Sequence, residues 1–156
     1  MNEPENPRFH PLPVHEEPEA VRLRTWVQLV RTFYRIERSI SATLAEKDLT
    51  MAQFDVLATL RYSEGLSQKE LAELLLVTKG NVVGLLDRLE KLDLVERRPD
   101  PDDGRSNRVH LTSPGRQKIE MVLPVHDRLV LKTLDCLGQE EVGTLRRLLQ
   151  TLDQSH

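Results

Sequence analysis

Two helix-start signals lie close together near the middle of the chain, and they constrain the fold more than any other feature. Ser67 followed by Glu70 forms a capping box, in which the hydroxyl and the carboxylate each accept a hydrogen bond from a backbone N–H that the helix leaves free. Thr78 is a second N-cap, whose hydroxyl satisfies a free backbone N–H of the following turn. Only the segment from about Leu76 to Thr78 separates the two predicted helices, and so short a turn is typical of the helix-turn-helix motif.

The two predicted helices are amphipathic. Apolar residues recur at helical spacing and indicate one buried stripe on each helix. In the first helix this stripe is Leu71, Leu74 and Leu75, and in the second it is Val82, Leu85, Leu86, Leu89 and Leu92. The opposite face of the second helix carries Lys79, Gly80, Asn81, Gly84, Arg88 and Lys91.

The outward start of the second helix has the chemistry of a DNA-reading surface. Lys79 supplies positive charge for a phosphate or a guanine, and Asn81 can pair with adenine through two hydrogen bonds. Gly80 and Gly84 each cost about 1 kcal/mol of helix stability against alanine. They indicate close approach to a flat partner, or else they are tolerated surface residues.

A charged hairpin follows. Leu94 to Arg98 and Arg108 to Thr112 alternate between apolar and polar residues, as strands do, and the segment PDPDDGRSN between them is rich in turn formers. The strand pattern predicts that Val95, Val109 and Leu111 face the helices.

The arginines of this hairpin are predicted to lie outside. Arg97, Arg98 and Arg108 would face phosphates, and Arg105 at the tip would enter a narrow minor groove. Asp102 or Asp103 would hold that arginine through a charge-assisted pair. The alternative is a solvated loop of mixed charge.

These motifs together resemble the MarR family of bacterial winged helix-turn-helix regulators. The resemblance covers about Val21 to Leu152 and rests on LSQKELAELL, on VTKGNVVGLLDRLEKLDLVERRPDPDDGRSNRVHLT and on SPGRQ. The family's aspartate-any-arginine signature falls on Asp103-Gly104-Arg105. Asp93 stands where the family often has glycine after the recognition helix, but aspartate tolerates the left-handed conformation. Gly84 replaces the family's frequent arginine or serine, which changes the expected base preference.

The resemblance implies a mainly α protein with a winged helix-turn-helix, a small β-wing, and long N- and C-terminal helices that form a dimerisation frame. It implies a homodimeric, DNA-binding regulator, more often a repressor, that recognises a palindromic site. The expected DNA-binding residues are Ser67, Gln68, Thr78, Lys79, Gly80, Asn81, Val83, Gly84, Arg88, Arg97, Arg98, Asp103, Arg105 and Arg108. It also implies a cleft for a small phenolic or carboxylate effector, with Trp26, Val30, Phe33 and Phe54 as candidate lining residues or, alternatively, plain core.

The segments on both sides of the predicted DNA-binding region, which we call the reader, are predicted to be helical. Residues 1–18 form a proline-rich, flexible arm, residues 19–48 and 113–156 form the dimerisation region, and residues 49–112 form the DNA-binding region. One uninterrupted helix runs to about Lys47, Thr50 with Gln53 caps the next one, and Pro124 bends a later one. The terminal helices have more apolar face than one subunit can cover, which favours a twofold dimer.

Composition excludes some classes of protein. The net charge is −3, but five glutamates and one arginine fall in the first 19 residues, so the remainder is slightly basic and the charge evidence is neutral for DNA binding. The single cysteine and the lack of a signal pattern or a long apolar run fit a cytoplasmic protein that does not enter a membrane.

Other chemistry is not supported by the sequence. The five histidines have no metal-ligand spacing, and no glycine-rich phosphate loop follows a strand, so we expect no metal, no cofactor and no enzyme. Cys136 is interpreted as structural, with a redox-sensing regulator as the alternative. A winged-helix module that binds protein and not DNA is a further alternative.

Overall fold

The order of elements follows the predicted helix-turn-helix and hairpin. The structure is a computed structural model that describes residues 18–101, 103 and 106–154. The elements are α1 (Pro18–Ala45), α2 (Met51–Tyr62), β1 (Leu66–Ser67), α3 (Gln68–Leu74), α4 (Lys79–Lys91), β2 (Val95–Pro99), β3 (Asn107–Leu111), α5 (Ser113–Leu134) and α6 (Gln139–Asp153). The mainly α fold class with a small β-wing is confirmed. The predicted N-terminal arm lies, except for Pro18, outside the described residues.

The predicted caps start the helices. Thr50 Oγ1 accepts from the Gln53 N–H at 3.3 Å, and the Thr50 N–H donates to Gln53 Oε1 at 2.9 Å. The same reciprocal pair forms between Ser67 and Glu70. Thr78 Oγ1 accepts from the Asn81 N–H at 3.4 Å and so fixes where α4 begins.

The chain divides into two compact units, one that ends at Ser39 and one that begins at Ile40. In the second unit, fully buried leucine, isoleucine and valine side chains of α2, α3, α4, β3 and α5 form the core, among them Leu57, Leu60, Leu71, Val82, Leu86, Leu89, Val109 and Ile119. Because these side chains are aliphatic, the core agrees with a composition of only 4% aromatic residues.

A three-stranded antiparallel sheet closes one side of the reader. The strand order is β1-β3-β2, with Leu66 opposite Val109 and Val95 opposite Leu111. As predicted, Val95, Val109 and Leu111 are buried. Strand β1 was not predicted, because a strand of two residues is too short to show an alternating pattern.

The start of α5 packs against the backbone just before β2 at a glycine. A Cβ atom at Gly115 would lie 1.8 Å from the Leu94 carbonyl oxygen, so only glycine permits this approach. The turn before β2 uses Asp93 at φ 55°, which confirms that aspartate takes the left-handed conformation expected there.

Two predicted core residues are exposed. Leu74 ends α3 and is 60% exposed, and Leu92 caps the C-terminus of α4 and is 53% exposed. Both were assigned to buried stripes by spacing, but each lies at the end of its helix, where the stripe leaves the core.

The first unit and the C-terminal helix both present apolar side chains to solvent. In the first unit, α1 exposes Leu23, Trp26 and Phe33, with Trp26 63% exposed. In the second unit, α6 has no buried residue and exposes Leu145, Leu148, Leu149 and Leu152. Pro124 lies inside α5, as predicted. Across the described ranges, no helix is both long and apolar enough to cross a membrane.

Candidate nucleic-acid interface

The outward face of α4 presents polar and small residues, as the sequence predicts. Lys79, Asn81 and Arg88 are exposed, and Val83 is 42% exposed between them. A Cβ atom at Gly80 would meet nothing within 4 Å. The face is therefore open, and no other part of the described chain covers the start of the helix.

The turn before α4 contains a residue whose left-handed conformation no sequence pattern indicated. Leu76 has φ 53° and is 93% exposed. A branched side chain in this conformation costs about 1 kcal/mol or more, and the turn is held by the Val77 N–H, which donates to the Ala72 carbonyl at 3.0 Å. An exposed apolar residue at a left-handed position leaves no periodic signal in the sequence.

Arg97 does not lie outside, and the prediction that it faces phosphate is corrected by its contacts. Its side chain is 18% exposed, and its guanidinium is held by carboxylates of α4. Nη2 donates to Asp87 Oδ1 at 2.8 Å and to the Val83 carbonyl at 3.3 Å, and Nη1 donates to Glu90. The Arg97 N–H also donates to Glu90 Oε1 at 3.1 Å. Arg97 therefore ties β2 to α4.

Arg108 is likewise engaged within the chain and is only partly exposed. Its Nε donates to Asp100 Oδ2 at 2.7 Å, and its Nη1 donates to the Gly65 carbonyl at 3.1 Å. Asp100 is 7% exposed, so this pair is shielded from solvent on one side. Arg108 was also expected outside, but these contacts join the loop end of the hairpin to Gly65, before β1.

Glu70 links this cluster to the start of α3. Its carboxylate accepts from the Ser67 N–H at 2.7 Å and lies 3.6 Å from Arg108 Nη1. The Ser67 hydrogen bonds, and to a smaller extent the Arg108 charge, lower the pKa of Glu70. The Ser67 hydroxyl therefore serves as a helix cap, and Gln68 beside it is half-buried with its Oε1 atom lacking a partner among the described residues.

Arg98 has the outward position predicted for all three arginines. Its side chain is 56% exposed and pairs with Glu96 on the same strand. Asp103 is exposed, and its carbonyl accepts from the Ser106 N–H at 2.9 Å. The predicted tip residues Asp102, Gly104 and Arg105 lie outside the described residues, so the minor-groove role of Arg105 stays a prediction.

The four candidate effector residues fall in two places. Trp26, Val30 and Phe33, together with Leu29 and Tyr34, line a shallow groove of about 480 Å³ on α1. Phe54 belongs to the other unit, where it is 4% exposed and its ring lies 4.4 Å from that of His126. Burial raises the pKa of the neighbouring Asp55, although the charge of His126 opposes this effect.

Cys136 is exposed just after the end of α5. Its Sγ donates to the Thr133 carbonyl at 3.7 Å, and its interpretation as a structural residue stays a prediction. Among the residues that the structure describes, no cluster of three or more His, Cys, Asp or Glu side chains is placed to hold a metal ion.

Comparison with known proteins identifies the family. The MarR family model matches residues 47–106. An uncharacterised HTH-type transcriptional regulator of Bacillus cereus is 34% identical over 127 residues, which cover 80% of this chain and 83% of the relative.

Two solved structures are similar as well. The crystal structure of a mutant MarR from Escherichia coli complexed with operator DNA has a TM-score of 0.78 and 29% identity, and covers 88% of this chain and 99% of the other. A Bordetella bronchiseptica BpsR structure, on the regulation of DNA binding by 6-hydroxynicotinic acid, has a TM-score of 0.75 and 27% identity, covering 83% of this chain and 98% of the other. Since the family consists of transcriptional regulators, these matches also agree with the expectation that the chain is not an enzyme. The chain belongs to the MarR family of DNA-binding, winged helix-turn-helix transcriptional regulators.

Proposed function

We propose that the protein is a homodimeric, sequence-specific repressor that binds a palindromic DNA site. The observation that carries this proposal is the open outward face of α4, where Lys79 and Asn81 flank a glycine that no described residue covers. A helix of this kind fits the major groove, where asparagine pairs with adenine and lysine with guanine or phosphate. The E. coli relative solved with operator DNA supports the same use of the fold.

The contacts within the chain divide the proposed DNA-binding residues into two groups. One group would touch DNA: Lys79, Gly80, Asn81, Val83, Gly84, Arg88, Arg98, Asp103 and Arg105, with Thr78 fixing the start of the helix. The other group would position the first: Arg97 and Arg108 hold the hairpin, and Ser67 and Gln68 lie at the start of α3. Arg98 and Arg105 are then the proposed hairpin contacts to phosphate and minor groove.

A second copy of the chain is the proposed partner of the terminal helices. Residues 19–48 and 113–156 are the proposed dimerisation region. Exposed Trp26 and Phe33 on α1 and the exposed leucines of α6 are costly in water, and a twofold interface would bury them. A dimer would place two copies of α4 about 34–36 Å apart, which is one turn of DNA.

A small phenolic or carboxylate effector is the proposed regulator. Trp26, Val30 and Phe33 are its proposed contacts, because they line the α1 groove of about 480 Å³, which is large enough for one aromatic ring. Phe54 is not among them, because it is buried in the other unit. The 6-hydroxynicotinic acid named for the Bordetella relative is a molecule of this class. Such a ligand would release DNA only if it bound more tightly to a dimer with one spacing between its two copies of α4 than to a dimer with another spacing.

Selection of bound duplexes from a random pool tests the proposal. We expect recovery of a palindrome with half-sites one helical turn apart and a protein that runs as a dimer by light scattering. Retention of no duplex at low salt would overturn the proposal in favour of a protein-binding winged helix. If peroxide releases the wild-type protein from DNA but does not release the Cys136→Ser variant, then a redox signal, and not the proposed effector, regulates the protein.

A further inference from the structure

One apolar side chain breaks the polar character of the DNA-facing surface. Within α4, all of which the structure describes, Val82, Leu86 and Leu89 are buried, whereas Val83 is 42% exposed. Valine is a weaker helix former than alanine or arginine, and an exposed valine gains little from its own chain. Folding alone therefore gives no reason for a valine at this position.

The backbone at Val83 is tied to the hairpin by a side-chain hydrogen bond. Its carbonyl accepts a hydrogen bond from Arg97 Nη2 at 3.3 Å, in addition to its place in the helix. The same guanidinium is held by Asp87 at 2.8 Å. In a helix, a β-branched side chain has one strongly preferred rotamer. The two methyl groups of Val83 therefore have a fixed position relative to both α4 and the hairpin.

The surroundings of Val83 leave these methyl groups open to a partner. Helical side chains lean over the preceding turn, so Val83 leans towards Gly80, three residues earlier. A Cβ atom at Gly80 would meet nothing within 4 Å, and one at Gly84 would meet only the Arg88 guanidinium at 3.8 Å. Gly80 therefore adds no side chain that could cover Val83 from the preceding turn.

Only one base offers an apolar group in the major groove, and that group is the 5-methyl of thymine. The other base edges there are hydrogen-bond donors or acceptors, which an aliphatic side chain would desolvate without compensation. We propose that Val83 is a specificity-determining residue that contacts the 5-methyl group of one thymine in each half-site. This inference rests on the proposed function, because it requires that α4 enters the major groove.

Deoxyuridine scanning tests the contact, because deoxyuridine lacks only that methyl group. The probe is the palindromic duplex recovered by selection from a random pool, with each symmetric pair of thymines replaced in turn. Burial of one methyl group is worth about fourfold in affinity, so we expect a loss on the order of fifteenfold when both half-sites lose it. The Val83→Ala variant should bind thymine and deoxyuridine equally at that position and keep its sensitivity to changes elsewhere.

Val77→Ala is the matched control, since Val77 is 40% exposed in the turn and precedes α4. We expect this variant to keep the full deoxyuridine effect, and both variants to show unchanged thermal unfolding within a few degrees. Replacing the sensitive thymine by 5-methylcytosine should retain more affinity than replacing it by cytosine.

Several results would overturn the inference while leaving the proposed function intact. These are tight binding to a selected palindrome that no deoxyuridine weakens, a deoxyuridine effect that survives in Val83→Ala, or an effect that disappears in Val77→Ala. Failure to select any duplex would instead overturn the proposed function, and this inference with it.

Discussion

Replacement of Arg97 by glutamine is the sharpest perturbation of the hairpin, because it removes one positive charge and keeps most of the length of the side chain. The wild-type guanidinium contacts Asp87, Glu90 and the Val83 carbonyl, and the side chain is 18% exposed. The variant leaves two carboxylates without their cation, and it removes the guanidinium contacts that tie β2 to α4, although the backbone N–H of residue 97 can still donate to Glu90.

The magnitude follows from how much solvent reaches the pair. Fully exposed ion pairs contribute about 0–1 kcal/mol, whereas loss of one partner from a buried pair costs about 3–5 kcal/mol. The carboxylate side chains of Asp87 and Glu90 are 52% and 33% exposed, so water can solvate them once Arg97 is gone. We therefore expect the free energy of unfolding to fall by about 2 kcal/mol, which corresponds to about 4–8 °C in Tm for a domain of this size.

The assay is denaturant and thermal unfolding of Arg97→Gln beside Arg98→Gln. Arg98 is the matched control, because it lies on the same strand with the same charge, but its side chain is 56% exposed. Arg98→Gln should change stability by less than about 1 kcal/mol. On DNA, Arg98→Gln should reduce the magnitude of the slope of log affinity against log salt by about two units for the dimer, because each subunit loses one phosphate contact. Arg97→Gln should leave this slope unchanged.

A different pattern would refute this reasoning. If Arg97→Gln unfolds at the wild-type temperature and reduces the magnitude of the salt slope by about two units for the dimer, then Arg97 contacts phosphate and does not position the hairpin. Equal stability losses in the two variants would also contradict the assigned difference in burial.

Three other substitutions test separate parts of the account. Gly115→Ala should destabilise the fold by about 1–3 kcal/mol or more, measured by denaturant unfolding, since its methyl group would collide with the Leu94 carbonyl; wild-type stability would contradict the close packing. Gly80→Ala should raise the free energy of unfolding by about 1 kcal/mol, because its Cβ enters open space, and weaken DNA binding; unchanged affinity would show that DNA does not approach there. Burial raises the pKa of Asp55, and the charge of His126 opposes this effect. The folded state therefore disfavours the ionised carboxylate, and the free energy of unfolding decreases as the pH rises through the pKa of the folded state. Asp55→Asn should therefore stabilise the protein more at neutral pH than below the unfolded pKa, and an equal effect at both would contradict this sign.

The features predicted correctly are those that local bonding determines. The caps at Thr50, Ser67 and Thr78 depend on residues three positions apart, so the sequence contains the whole interaction. The left-handed turn at Asp93 is local for the same reason. The alternation of the hairpin strands also identified their buried side chains.

The features missed depend on tertiary contacts. The direction of the Arg97 side chain is set by Asp87 and Glu90, which lie on α4. They precede Arg97 by 10 and 7 residues, and no spacing rule connects residues of a helix with residues of the following strand. Likewise, Arg108 donates a hydrogen bond to the Gly65 carbonyl, which is 43 residues away in the sequence. The strand pattern of the hairpin predicted both arginines outside, whereas their side chains contact carboxylates of the chain, and support of the hairpin is the role proposed for them.

The most direct test of the central claim is the affinity for palindromes of altered spacing. If two copies of α4 are held at a fixed distance by a dimer, an insertion of about five base pairs turns one half-site to the opposite face of the duplex. We predict that the selected palindrome binds as one dimer and that the duplex with this insertion binds no better than random DNA. Equal affinity for both duplexes would contradict the claim that a dimer presents two α4 helices to DNA at a fixed separation.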